Sequence, residues 1–239
     1  MRSYLSFFLV ILTLTGVSCS RLSIKHNGAD EPGWQDEIIY HAVQRSFYDS
    51  NGDRHGDLTG FSSKLDYLKE LSITAILFLP LYESDFYHNY FPTDYEKTDP
   101  EYGTMDDYFS FIRAVHEHGL KFIMDMETQY DQEGHTWFDE TMKDSASPYA
   151  DYIYTPSIEP YRKGIENPFR LTGYDGYSGG IVMLNLNNPA LRNYMKDFYA
   201  YWVDPDKDGD FVDGVDSFRI DHIMDNLDNM GVFTNLYTE

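Results

Sequence analysis

Apolar residues fall along this chain in two rhythms that alternate from one end to the other. Glu37 to Val43 is a short apolar segment that predicts a strand. From Phe61 to Leu71 the apolar positions are 61, 65, 68 and 71, which is helical spacing. Thr74 to Leu79 is an unbroken apolar run, the pattern of a strand buried on both faces of a parallel sheet. Met105 to Gly119 predicts a second helix, with Thr104 as N-cap and Gly119 just past the end. Leu120 to Met124 is a third strand. Pro189 to Trp202 is a third helix, with Pro189 suited to its first turn, and Val212 to Ile220 is a fourth strand. Strands alternating with helices predict an α/β fold built on a parallel sheet. Residues 126 to 188, rich in Gly, Pro, Tyr and Ser, are too long for an ordinary loop in a compact domain and are expected to form an insert.

The fourth predicted strand carries the chemistry. In Gly214-Val215-Asp216-Ser217-Phe218-Arg219-Ile220-Asp221-His222-Ile223, Arg219 and Asp221 lie two apart and leave the same face of a strand. A guanidinium beside a carboxylate favours its ionised form. A rigidly held, ionised carboxylate is what a glycosidase uses as a nucleophile at an anomeric carbon. Such a pair at a strand end is also a common structural ion pair, so this segment alone leaves both readings open.

Four motifs in order narrow the choice. The Arg219–Asp221 strand resembles the nucleophile strand of the α-amylase family (glycoside hydrolase family 13). Asp49-Ser50-Asn51-Gly52-Asp53-Arg54-His55-Gly56-Asp57-Leu58 resembles the acidic loop after the first barrel strand of that family. Tyr87-His88-Asn89-Tyr90-Phe91-Pro92-Thr93-Asp94-Tyr95 is similar to its sugar-contacting loop after the second, and Lys121-Phe122-Ile123-Met124-Asp125 to its third strand. The resemblance runs from about residue 35 to 239. It implies the N-terminal half of a (β/α)8 barrel, with functional residues at the C-terminal ends of the strands, and a small inserted domain after the third strand. The expected layout is a signal peptide at 1–19, a linker at 20–34, a first part of the barrel at 35–125, an inserted domain at 126–188 and a continuation at 189–239.

The resemblance also implies roles. Asp221 is the catalytic nucleophile, with Arg219 beside it. Tyr90 lies under the sugar ring, His88 contacts a hydroxyl, and Asp125, grouped with them on the substrate side, supports Arg219. Two positions depart from the family. The Asn-His pair that usually follows the third-strand aspartate is Gln129-Tyr130 here, and the His often found four residues after the nucleophile is Asp225.

Asp49, Asn51, Asp53 and Asp57 form an oxygen-rich turn around Gly52 and Gly56 that can converge on one hard cation, with His55 offering its carbonyl. In the family, loops of this kind hold calcium, so calcium is the expected cofactor. A solvated acidic turn is the plain alternative. Asp204, Asp206, Asp208, Asp210 and Asp213 make a second alternating run, with Gly209 sixth but Val215 where a bidentate Glu would complete an EF-hand pattern.

Charge and composition remove other classes. With 18 basic and 40 acidic residues the net charge is −22, which disfavours any nucleic-acid partner. Aromatic residues reach 17%, enough for both a core and sugar-stacking faces. Arg2, the apolar run Leu5 to Leu14 and Gly16-Val17-Ser18-Cys19 have the layout of an export signal. Cys19, the single cysteine, sits where a bacterial lipobox would place a lipidated thiol, although Gly16 stands where Leu is usual. The expected location is therefore the periplasm or the outer membrane as a lipoprotein, with an ordinary cleaved signal as the alternative and a lipid anchor as the sole membrane contact.

The substrate expected from the resemblance is an α-glucan, starch or a maltooligosaccharide. A full barrel typically takes about 250 residues and eight strands, whereas four strands are legible here. The acid/base Glu on the fifth strand is not among them, so the 239-residue chain alone is expected to be inactive. Glu83, Glu96 and Glu127 sit on the active-site side, but in a half-barrel open to water each is expected to stay ionised near about 4.3. The alternative function is a catalytically inactive glycan-binding surface protein on the same scaffold.

Overall fold

The computed structural model describes residues 33–155 and 167–221. The expected export signal, most of the linker, His222 and Asp225 lie outside them. Residues 33–36 belong to a unit spanning 1–36, and among these described residues a 3₁₀ turn, Trp34–Asp36, is closed by the Gly33 N–H donating to Asp36 Oδ2 at 3.0 Å. The second unit runs from Glu37 onward.

Its elements, in chain order, are β1 (Ile39–Ala42), α1 (Leu58–Ser62), α2 (Leu65–Glu70), β2 (Ala75–Phe78), β3 (Tyr82–Glu83), β4 (Asp94–Thr98), α3 (Met105–Glu117), β5 (Lys121–Met126), β6 (Tyr130–Gln132), α4 (Thr136–Lys143), β7 (Phe169–Thr172), β8 (Ser178–Met183), α5 (Pro189–Val203) and β9 (Ser217–Ile220). Strands β1, β2, β5 and β9 pair in that order, all parallel, with Ile39 opposite Ala75, Ala75 opposite Lys121 and Asp125 opposite Arg219. Each connection passes through helix, as a parallel neighbour requires. The expected α/β sheet is present, and β1 and β9 are its edges among the described residues.

The one helix expected over Phe61 to Leu71 is two. α1 ends at Ser62 and α2 begins at Leu65, because the hydroxyls of Ser62 and Ser63 turn back onto the carbonyls of Leu58 and Gly60, competing with the helix ladder. α3 starts as read: the Thr104 hydroxyl accepts from Asp107 N–H while the Asp107 carboxylate accepts from Thr104 N–H, a reciprocal cap. Its buried positions, Tyr108, Phe111, Ile112 and Val115, follow the helical repeat. At its end Gly119 has φ 63°, the left-handed region that glycine enters without strain. In α5 the Asn188 side chain caps Ala190 and Leu191, and Leu191, Met195, Phe198 and Trp202 point inward.

The core is aromatic. Phe78 and Phe122 from the sheet meet Phe61 of α1 and Phe111 of α3, with centroids 4.5 to 5.9 Å apart. On the other flank, fully buried Trp202 packs edge-on to Tyr108 and donates its indole N–H to the Tyr95 carbonyl at 3.0 Å. This contact fixes α5 against β4 and α3, and the chain following α5 then leads back to the sheet as β9.

Residues 126 to 188 carry a separate three-stranded antiparallel sheet, ordered β6-β8-β7, and a short two-stranded one, β3-β4, lies outside the main sheet. β5 ends at Met126, the first residue of the expected insert. Among the described residues no helix is long and apolar enough to cross a membrane.

Candidate active site

The parallel register sets Asp125 at the end of β5 directly beside Arg219 near the end of β9. Arg219 Nη1 donates to both oxygens of Asp125, at 3.0 and 2.7 Å, and lies 2.7 Å from Asp221 Oδ1. The Asp221 N–H continues the ladder to the Met126 carbonyl at 2.9 Å, so the backbone holds this carboxylate at the same rim. One guanidinium thus bridges two carboxylates at adjacent strand ends. The two-residue spacing that put Arg219 and Asp221 on one face predicts the pairing seen.

Asp125 supports Arg219, as the resemblance implied, but stands behind the substrate side rather than on it. Its side chain is wholly buried behind Arg219 and Tyr90, whose hydroxyl donates to Oδ2 at 2.7 Å, and it does not line the cavity in front. Burial pushes its carboxyl above the usual range. The Tyr90 hydroxyl and the Arg219 guanidinium pull the other way without overcoming it. Asp125 is therefore the anchor from which Tyr90 and Arg219 are aimed.

In front of this cluster is a cavity of about 310 Å³, lined by His88, Tyr90, Phe91, Glu127, Tyr130, Phe169, Leu171, Ile181 and Asp221. His88 and Tyr90 share it with the nucleophile candidate, as expected. Burial lowers His88 to about 4, so it is neutral at neutral pH. Its Nδ1 accepts the Tyr90 N–H at 3.2 Å, which leaves the proton on Nε2 as a donor. Burial first, and then Asp125, hold the Tyr90 hydroxyl in its protonated form. The cavity thus combines apolar walls with a few convergent polar groups, the composition of a small-molecule site. A larger hollow of about 520 Å³ between α5 and β9 is lined by none of Asp221, Arg219, His88 or Tyr90.

Glu127 overturns an expectation. It is not a water-exposed carboxylate near the ordinary value: only 2% of the residue is exposed, and burial pushes its carboxyl well above that value, with Asp221 and Asp125 adding repulsion. Its Oε1 accepts the Gln129 N–H at 2.6 Å. The β6-β8-β7 sheet and the loop carrying His88 and Phe91 supply walls to this cavity that a bare half-barrel would not have. The sequence signal was present: Asp125 and Glu127 are two apart across the end of β5, as Arg219 and Asp221 are across the end of β9. At the Gln129-Tyr130 departure, the Tyr130 ring lines the cavity and its carbonyl accepts the Tyr95 hydroxyl at 2.8 Å.

The two acidic turns behave differently. Asp49 accepts N–H groups from Asn51, Gly52 and Arg54 at 2.6 to 3.1 Å, and these bonds hold its carboxyl below the usual range. Asp53 accepts from the Asn51 amide and from His55 N–H. Asp57 is buried and caps α1 through Gly60 N–H while also binding Ser50, and the His55 ring faces Arg45 and Glu101. The carboxylates of Asp49, Asp53 and Asp57 are therefore spread along a hydrogen-bonded turn. Among the described residues, the one group of three acidic, His or Cys side chains converging within 4.8 Å is Asp204, Asp206 and Asp213. Both oxygens of Asp213 are shielded from solvent and accept no hydrogen bond, and repulsion from Asp206, Asp204 and Asp208 adds to burial in raising its carboxyl.

Residues 41–231 match the family model described as the α-amylase catalytic domain. The chain is 34% identical over 230 residues to "Alpha-amylase 3" of Dictyoglomus thermophilum, covering 94% of this chain and 43% of that protein. It is 34% identical over 206 residues to an oligo-1,6-glucosidase of Parageobacillus thermoglucosidasius, covering 80% and 35%. Among solved structures it is similar to the α-amylase of H. orenii, with TM-score 0.63, 32% identity and coverage of 77% and 40%. It is also similar to a mutant of the trehalulose synthase MutB in complex with Tris, with TM-score 0.66, 28% identity and coverage of 80% and 36%. The chain spans less than half the length of these relatives.

Proposed function

This chain belongs to the α-amylase catalytic-domain family, and from that membership we propose that it carries the nucleophile side of a retaining α-glucan hydrolase. Its parallel sheet is then the N-terminal part of the family's (β/α)8 barrel. The observation that carries the reading is the bridge of Arg219 between Asp125 and Asp221, opening on the cavity of Tyr90 and His88.

In this mechanism Asp221 attacks the anomeric carbon. The C–O bond to the leaving sugar breaks as an ester forms to Asp221, and the leaving oxygen takes a proton from a second carboxyl. Water then cleaves the ester, and that carboxyl takes the water's proton. Arg219 holds Asp221 oriented. Tyr90, pinned by Asp125, presents its ring to the sugar, and His88 Nε2–H donates to a hydroxyl. Burial and the neighbouring Asp221 and Asp125 raise the Glu127 carboxyl, which disfavours a third negative charge beside the nucleophile. A retaining pair requires carboxyl groups about 5–5.5 Å apart. We assign the acid/base to a part of the barrel beyond these four strands, consistent with coverage of 43% or less of the related proteins.

Calcium fits the chemistry of the second acidic turn better than that of the first. At the 49–57 turn the ligand set the sequence offers is Asp49, Asn51, Asp53 and Asp57 with the His55 carbonyl, but its carboxylates already accept backbone N–H groups and do not converge. At the second turn, Asp204, Asp206 and Asp213 would hold a cation, which would satisfy the two shielded Asp213 oxygens that accept no hydrogen bond. Export, with a lipid on Cys19, rests on the sequence of residues 1–19.

The test is release of reducing sugar from maltooligosaccharides by the whole enzyme and by Asp221→Asn. The variant keeps shape and loses charge, so turnover falls by several orders of magnitude while sugar binding survives. Near-normal turnover in Asp221→Asn overturns the assignment. Sugar binding with no hydrolysis by the parent enzyme supports an inactive glycan-binding protein instead.

A further inference from the structure

A second hollow adjoins the Asp221 cavity. It measures about 400 Å³ and is lined by Tyr87, His88, Leu171, Thr172, Gly173 and Tyr174. His88 and Leu171 line both hollows, so the two are neighbours across one wall. Each falls within the size range of small-molecule sites, about 300–1,000 Å³.

Its outer wall is a hairpin tip that is built rather than loose. Between β7 and β8, Gly173 N–H donates to the Tyr177 carbonyl at 2.8 Å, Gly176 takes φ 88°, and the Asp175 carboxylate accepts the Tyr177 N–H at 3.0 Å. The root of the hairpin is fixed on the loop after β3. Tyr177 packs edge-on to Phe86 at 5.0 Å and donates to Asp85, and Gly179 sits so close to Phe86 that a Cβ would come within 2.9 Å of its ring. A Cβ on Gly173 would likewise meet the Tyr87 ring at 3.3 Å, so this glycine lets the hairpin backbone rest on that ring.

This framework holds Tyr174 almost entirely in solvent, 97% exposed, with its ring centroid 6.0 Å from that of Tyr87 and the planes at 63°. A single exposed aromatic needs no explanation. Here, however, two tyrosine rings meet at an angle over a groove that continues a sugar cavity, and Asp175 lies close enough to Tyr87 and His88 to act on both. Ring faces take the C–H face of a pyranose, and carboxylates and imidazole take its hydroxyls.

We propose that the Tyr87–Tyr174 groove is a sugar-binding subsite that holds the next ring of the same α-glucan whose first ring occupies the Asp221 cavity. This rests on the reading of that cavity as a sugar site. The hairpin then acts as a chain-length reader, contributing nothing to a monosaccharide and one stacking contact to a longer chain.

Isothermal titration of the full chain with glucose and with maltopentaose, for the parent protein, Tyr174→Ala and Tyr174→Phe, tests it. The expected result is about a tenfold loss of maltopentaose affinity in Tyr174→Ala, on the order of one aromatic contact, with glucose affinity unchanged and Tyr174→Phe like the parent. Because Tyr174 is almost wholly exposed, its replacement leaves the core intact. Equal effects on both ligands, or none on maltopentaose, overturn the subsite while leaving the cavity reading standing. A parent protein that binds neither ligand overturns the cavity reading itself and the subsite with it.

Discussion

Replacing Arg219 with Met isolates the one cation in a cluster of carboxylates. The apolar stem is roughly preserved, and what disappears is the guanidinium that donates to both oxygens of Asp125. Asp125, whose side chain is wholly buried, then keeps the Tyr90 hydroxyl as its one remaining side-chain donor. Breaking a buried pair by removing one partner costs about 3–5 kcal/mol. Arg219 is itself 46% exposed, so water reaches the vacated space and the low end applies, about 3 kcal/mol.

A second limit comes from protonation, since a stranded carboxylate can take up a proton instead. Relative to an ordinary pKa of about 3.9, that costs roughly 4 kcal/mol at pH 7 and about 1.5 kcal/mol at pH 5. The folded pKa of Asp125 is already raised by burial, and losing Arg219 raises it further. Between about 3.9 and its raised folded pKa, the folded state of the variant holds a proton that the unfolded chain has lost. Its stability deficit grows as pH rises above about 3.9 and shrinks on acidification. Thermal unfolding at pH 7 is expected to show a Tm drop of about 6–12 °C, using roughly 2–4 °C per kcal/mol for a domain of this size, and about half of that at pH 5. Adding Asp125→Asn to Arg219→Met recovers most of the loss at pH 7, because a neutral amide still accepts from Tyr90. A deficit that is flat with pH, or one that Asp125→Asn does not relieve, refutes the account.

Glu127→Gln keeps an acceptor for Gln129 N–H and removes a carboxyl whose pKa is raised by burial. The parent is penalised as pH climbs past the ordinary range, so the variant is expected to be the more stable at pH 8 and no more stable at pH 4; denaturant midpoints at the two values decide it. Chelation is expected to lower Tm, because a ligand at a thousand times its Kd adds about 4 kcal/mol to the native state. Asp206→Asn removes that response if the ion sits with Asp204 and Asp213, whereas Asp49→Asn removes it if the ion sits in the first turn; the calcium content of each variant reads out which.

The four strands of the main sheet and the stretches that hold α1, α2, α3 and α5 were legible because each depends on local periodicity and capping, whereas α4 was not read. Thr104 with Asp107, and Asn188 with Pro189, announce their helices without help from the rest of the fold. The break between α1 and α2 was not, since it comes from serine hydroxyls turning onto nearby carbonyls, a contest that apolar spacing does not register. At the site, the residues that the sequence brought forward, Asp221, Arg219, His88 and Tyr90, do meet. The role of Asp125 and the raised carboxyl of Glu127 depend on what covers them. That cover is supplied by Tyr90 and by the small antiparallel sheet, segments distant in sequence whose contacts no local pattern contains. The same holds for the acidic turns, which look alike as spacings and differ in whether backbone N–H groups have already claimed the carboxylates.

The stretch from Asp204 to Asp216 enters the main sheet through a lock rather than through its length. Val215 N–H bonds to the Trp202 carbonyl, Asp216 N–H bonds to the Phe122 carbonyl, and the Asp216 side chain takes the Phe122 N–H and His116. Register in β9 is thus set at positions 215 and 216, and Arg219 and Asp221 follow by counting. From Asp204 to Asp210 the hydrogen bonds stay within the turn, and the next tie to the body of the fold is the Val212 carbonyl on His116 at 2.8 Å. Residues added or removed between Asp204 and Asp210 alter the acidic surface and leave the nucleophile where it is, whereas one residue added between Asp216 and Arg219 turns the guanidinium to the opposite face of the sheet. The chain has, in effect, a tolerant segment and an intolerant one a few residues apart, so variation among homologues and grafted insertions in the laboratory are both expected to accumulate in the first and to stop short of the second.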